Sequence, residues 1–131
     1  MDPTTAPLRV LVVEDELLIR WSVAETLTEA GHEVMLASDG ASALCALRQA
    51  RETVDVVLLD YRLPDSDDLT LLTNIRRTSP ASAVVLMTVY GSPELRNSAL
   101  DLGVCRILDK PFDLREIAGI VVGATAARRV N

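Results

Sequence analysis

The sequence predicts a doubly wound α/β domain: five parallel strands in the order 2-1-3-4-5, with helices on both faces of the sheet. Two observations predict it. Short apolar runs alternate five times with longer amphipathic segments, the pattern of consecutive βα units. No linker or second domain interrupts this alternation, and 131 residues suit one domain with a real core. Right-handed crossovers then fix the hand of the fold.

Each element has a local reason. Leu8 to Val13 is apolar apart from Arg9 and reads as a buried strand. Glu16 to Ala30 reads as a helix with Ile19, Val23, Leu27 and Ala30 on one face, stopped by Gly31. Glu33 to Ala37 is the second strand. Asp39 caps a helix through Ala43, Leu44 and Leu47 to about Arg51. Val54 to Leu59 is the third strand. A helix over Asp67 to Arg77 ends before Pro80. Ala83 to Met87 is the fourth strand. Ser92-Pro93-Glu94 opens a helix with a capping serine and a proline in its first turn, and Gly103 closes it. Arg106 to Leu108 is a short fifth strand. Asp113 caps a last helix through Ile117, Ile120 and Val121 to about Ala127. One domain is expected over residues 1–131, with its core at about 8–127 and a flexible terminus at 1–7.

Composition removes several function classes. Apolar residues make up 49% of the chain, too many for a disordered protein. A net charge of -6 argues against a nucleic-acid surface, and Arg128-Arg129 is too short a run to reverse that. No run reaches membrane length and no signal-peptide pattern is present, so a soluble cytoplasmic protein is expected. Cys45 and Cys105 form no metal-type pair and read as reduced, partly buried thiols. His32, the only histidine, sits in a turn and is expected to be solvated; one histidine also excludes multi-histidine metal sites.

In a parallel sheet ligands bind beyond the carboxyl ends of the strands. Strand one ends in Glu14-Asp15, strand three in Asp60, strand four in Thr88, and strand five leads to Lys110. The predicted strand order brings these groups to one edge. Lys110 is the only lysine; the other basic residues are arginines. Lysine is a compact point charge where arginine is a wide fork, which suits a narrow anionic pocket. Three carboxylates packed together repel unless a positive charge joins them. A hard divalent cation prefers such oxygen ligands, and magnesium adds water and phosphate to a few carboxylates. Two charges from the metal and one from Lys110 would balance the three acids. A phosphoryl group would then have the metal, Lys110 and Thr88 around its oxygens, with Asp60 as nucleophile.

These residues carry a resemblance. Val10-Leu11-Val12-Val13-Glu14-Asp15-Glu16, Val56 to Pro64 around Asp60, Leu86-Met87-Thr88 and Lys110-Pro111-Phe112, in that order, resemble the receiver domain of two-component response regulators over about Arg9 to Val122. The resemblance implies a flavodoxin-like fold and a phosphate-accepting Asp60. The phosphoryl group would come from a sensor histidine kinase or a histidine phosphotransfer protein. Asp15, Asp60 and the backbone carbonyl of Arg62 would bind Mg²⁺ (or Mn²⁺) directly, with Glu14 acting through a water. Lys110 would pair with Asp60 and then with the phosphoryl group, Thr88 would bond it and move with it, and the Lys110-Pro111 peptide would be cis. Pro64 and the Ser38-Asp39-Gly40 turn fit the same pattern. The protein would catalyse only its own phosphoryl transfer and dephosphorylation.

Several positions depart from the family. Asp68 replaces a usual glycine, so the loop after strand three is expected to differ or carry strain. Ile107 replaces a switch aromatic, and Tyr90 is a candidate substitute. Val89 follows Thr88 where a smaller residue is usual and would restrict access to Asp60. Arg62 and Tyr90 flank the site, and their bulk predicts a long-lived phospho-form. On the first helix Trp21 lies about 200° from Ile19, sharing an off-core stripe with Leu17 and Ala24. It is either partly buried against a neighbouring loop or an anchor for a docking helix. Arg96, Arg106 and Arg115 mark the face of the fourth helix, fifth strand and fifth helix, which receivers use to dimerise or bind targets; an ordinary charged surface is the simpler reading.

Two alternatives stand beside the phosphorylated receiver. A receiver-like interaction module that is no longer phosphorylated is one. A small magnesium-dependent phosphatase is the other, but such enzymes need a second acid two residues after the nucleophile, where this chain has Arg62. Tyr90-Gly91-Ser92 after Met87-Thr88-Val89 is similar to receivers of sigma-54-dependent activators, which makes a fragment of a longer regulator credible.

Overall fold

The computed structural model describes residues 6–89 and 91–129. Ten elements alternate without exception: β1 (Arg9–Val13), α1 (Leu17–Glu29), β2 (Glu33–Ala37), α2 (Gly40–Gln49), β3 (Val56–Asp60), α3 (Thr70–Thr78), β4 (Ala83–Thr88), α4 (Pro93–Asp101), β5 (Arg106–Asp109) and α5 (Leu114–Arg129). The strands form one parallel sheet in the order β2-β1-β3-β4-β5, as the sequence predicts.

The sheet is buried on both faces because successive strand residues point to opposite sides. Leu11, Val13, Val57 and Leu59 pack with Ala43, Leu72 and Ile75 of α2 and α3. Val10, Val12, Val56 and Leu58 pack with Val23, Leu27, Ile117 and Val121 of α1 and α5. Side chains such as Leu11, Leu58 and Ile117 are wholly buried; each contributes about 1.5–3 kcal/mol of hydrophobic stabilisation.

The predicted caps are present. Asp39 and Ser42 form a reciprocal capping box at α2. The Ser92 hydroxyl accepts the Leu95 N–H, with Pro93 at the first turn of α4. Gly31 and Gly103 take positive φ where α1 and α4 end.

Some expectations need correction. Ala30 is exposed, one residue past the last turn of α1. The third strand starts at Val56 rather than Val54, and β4 and β5 each run one residue further, to Thr88 and Asp109. The third helix begins at Thr70, not Asp67. The Asp68 carboxylate accepts the Thr70 N–H (2.9 Å), and no described non-glycine residue has positive φ, so Asp68 turns the chain without strain. His32 is buried, not solvated: Nδ1 accepts the N–H of Leu8 (2.9 Å), the residue just ahead of β1. Cys45 is an exposed free thiol rather than a partly buried one. The flexible terminus expected at 1–7 falls mostly outside the described residues, as does Tyr90.

Candidate functional site

The ends of the strands are fixed by hydrogen bonds that continue the ladder past each strand. Glu14 donates its N–H to the Ala37 carbonyl (3.0 Å), Tyr61 to Met87 (2.8 Å) and Lys110 to Thr88 (2.9 Å). One carboxylate oxygen from each of Glu14, Asp15 and Asp60 lies within 4.8 Å of the others. Glu14, Asp60 and Thr88 are buried; Asp15 is exposed. The Lys110 ammonium pairs with Glu14 and lies 3.2 Å from Asp60 Oδ2. The Arg62 N–H reaches Asp60 Oδ1 at 3.3 Å. The Lys110-Pro111 peptide is cis, as the resemblance implies.

The charges do not balance. Three carboxylates face one ammonium. Burial foremost, and contact with Asp60, raise the Glu14 carboxyl above its ordinary range, while Lys110 pulls against them. Burial also works against the Lys110 charge, but Glu14 and Asp60 outweigh it and hold the ammonium above its usual range. The mismatch of two negative charges and a donor set made only of oxygen fit a hard divalent cation.

A cavity of about 260 Å³ opens over these groups, with Arg62 and Val89 among its lining residues. Val89 is 55% exposed and lines both this cavity and an adjoining apolar cavity of about 430 Å³ with Leu18, Pro111 and Phe112. Arg62 is exposed beside the mouth. Ile107 is half-buried against the core that includes Ala99 and Val104.

The structure thus brings together Glu14, Asp15, Asp60, Arg62, Thr88 and Lys110, and leaves Ile107 outside the cavity. Sequence reasoning missed Arg20. From the first turns of α1 its guanidinium donates to the backbone carbonyls of Glu14 (2.8 Å) and Asp15 (3.3 Å), which holds the acidic loop. It also missed Asp65, whose carboxylate accepts the N–H groups of Gly40 (2.7 Å) and Ala41 (3.0 Å) and ties the loop after β3 to α2. Spacing along the chain signals Arg20, the fourth residue of the following helix; nothing local signals Asp65.

Trp21 is 58% exposed, beside the exposed Leu17 and Leu18. Arg96 pairs with Asp109 and Arg115 with Asp113, while Arg106 is exposed.

The fold and site define the class: a domain of five βα units with a lysine-bridged acidic pocket at the carboxyl edge of its sheet. The family model for the response regulator receiver domain matches residues 10–122, and the chain belongs to that family, the receiver domains of two-component systems. It is similar to the DNA-binding transcriptional regulator NtrC of Escherichia coli, 38% identical over 112 residues that cover 86% of this chain and 24% of NtrC. The chemotaxis protein CheY of Treponema pallidum is 33% identical over 116 residues, covering 88% of this chain and 81% of CheY. Among solved structures, NtrX of Brucella abortus superposes with a TM-score of 0.85 at 32% identity, covering 95% of this chain and 28% of NtrX. The chain therefore spans about a quarter of NtrC, and 47% of a further relative, TcrX of Mycobacterium tuberculosis. No described helix is long and apolar enough to cross a membrane.

Proposed function

We propose that Asp60 accepts a phosphoryl group from a phosphohistidine in a Mg²⁺-dependent reaction, and that this switches the domain's protein-contact surface. The convergence of Glu14, Asp15 and Asp60 within 4.8 Å, bridged by Lys110, carries the reading. An Asp60 oxygen attacks phosphorus. The new P–O bond forms as the P–N bond breaks, and the imidazole keeps the electron pair and takes up a proton. Asp15, Asp60 and the Arg62 carbonyl would hold Mg²⁺ (or Mn²⁺), with Glu14 supporting it; the ion, when bound, neutralises charge on the phosphoryl oxygens. Lys110 supplies the fixed positive charge on the other side, and the Thr88 hydroxyl donates to a phosphoryl oxygen.

The chain acts only on its own aspartate. Arg62 stands two residues after Asp60, where a phosphatase places its acid, and has no proton to give at neutral pH. Arg62 and Val89 line the mouth of the cavity and hinder water, so the phospho-form should persist well beyond seconds; decay within seconds would sink that part.

The donor would be a sensor histidine kinase or a histidine phosphotransfer protein, and a cytoplasmic location fits such a donor. Its histidine-bearing helix would dock on the exposed Leu17, Leu18 and Trp21 of α1, beside the apolar cavity that shares Lys110 with the site. The α4–β5–α5 face would serve a downstream target or a second copy. Fluoroberyllate titrated with Mg²⁺ tests the reading. Binding to the native chain that is lost in Asp60→Asn supports it; absence of binding favours an interaction module that is not phosphorylated.

A further inference from the structure

Arg96 of α4 reaches two places at once. Its Nε–H donates to the Gly91 carbonyl (3.2 Å), and its Nη2 pairs with the Asp109 carboxylate at the end of β5. Asp109 is the register partner of Thr88, and the next residue is Lys110. Gly91 is wedged between Arg96 and the site. A methyl group added there would lie 3.1 Å from Arg96 Nε and 3.2 Å from Thr88 Cγ2, closer than ordinary contact. Thr88, Gly91, Arg96 and Asp109 therefore form one connected set running from the acidic cavity to the exposed α4–β5 face. Ile107 offers no polar side-chain atom for this purpose and packs into the core instead.

We propose that the Arg96–Asp109 pair is a latch on this switch, an inference that rests on Asp60 being the phosphoacceptor. In the resting state Arg96 holds the loop at Gly91 against the Thr88 methyl. When the Thr88 hydroxyl turns toward a phosphoryl oxygen, its methyl leaves Gly91, the loop follows, and Arg96 gives up Asp109. Arg96 touches no reacting atom, so it is a positioning residue. A ligand shifts an equilibrium only by its differential interaction with the two states. The latch therefore opposes phosphoryl-type ligands, and because the pair is partly exposed (36% and 59%) the opposition is worth at most about fivefold.

The test is the dissociation constant of fluoroberyllate in Mg²⁺ for the native chain, Arg96→Ala, Asp109→Asn and the double variant. Each single change should tighten binding about two- to fivefold, and the double variant no further. The sign for Arg96→Ala is diagnostic, because removing a cation near an anion site weakens binding on electrostatic grounds alone. Weaker or unchanged binding in Arg96→Ala, or single effects that multiply in the double variant, overturns the latch. So does a lowered melting temperature with an unchanged dissociation constant, which marks a purely structural pair. If the native chain fails to bind, or Asp60→Asn still binds, the phosphoacceptor reading falls and the latch falls with it.

Discussion

The two ends of the same parallel sheet bury polar groups in opposite ways. At the amino ends of the strands each buried group mostly finds a neutral or backbone partner. Ser82 donates to the Val54 carbonyl (2.6 Å), Asp55 accepts the Arg9 N–H (2.8 Å) and His32 accepts the Leu8 N–H (2.9 Å). The Arg9 guanidinium meets Glu33 and Glu52, both exposed to water. At the carboxyl ends three carboxylates share one ammonium, and two of the three are buried. The first arrangement is tied mainly to the backbone, with Arg9 Nε and His32 Nε2 buried without a hydrogen-bond partner among the described residues. The second leaves a surplus of negative charge that an outside cation would offset. The proposed function lies at the edge the chain leaves electrostatically incomplete.

Substitutions separate the two edges. The largest effect is expected at Asp60. Asp60→Asn should abolish phosphoryl acceptance and, in metal-free buffer, raise unfolding free energy by about 1–2 kcal/mol, because it removes one of three repelling acids. Ser82→Ala should do the reverse, costing about 1–3 kcal/mol by stranding the Val54 carbonyl and leaving function intact. Urea unfolding of both variants checks the pair; a loss of stability in Asp60→Asn would break the contrast.

Trp21→Ala should slow phosphotransfer from a partner protein about tenfold and leave transfer from a small-molecule donor unchanged. Equal slowing with both donors would move Trp21 from docking to structure.

The smallest effect concerns His32. Burial lowers its pKa from 6.5, and an accepting Nδ1 requires the neutral ring. The unfolded chain then binds a proton that the folded chain resists. This contribution is complete above about pH 6.5 and fades as pH falls below it. Unfolding curves between about pH 7 and 5 should show it, and His32→Gln should flatten that part of the profile. An unchanged profile would refute it.

The strands and caps were legible because their causes are local: apolar runs, Asp39 before α2, Ser92-Pro93 before α4. The site was legible because parallel strands must bring their carboxyl ends to one edge. What escaped the sequence were contacts made across it. Lys110 meets Glu14 over 96 positions, and Arg96 meets Asp109 over 13. His32 looked solvated because its turn is polar; the Leu8 N–H that its ring accepts comes 24 residues earlier. Asp68 looked strained only because glycine is usual there, and its carboxylate makes the turn another way.

Thermal unfolding in a Mg²⁺ titration tests most directly whether the carboxyl edge is built for an outside cation. The native chain should gain about 2.7 kcal/mol at a Mg²⁺ concentration near 100 times the dissociation constant, and Asp60→Asn should gain far less at the same concentration. No stabilisation of the native chain, or equal stabilisation of both, would contradict the account.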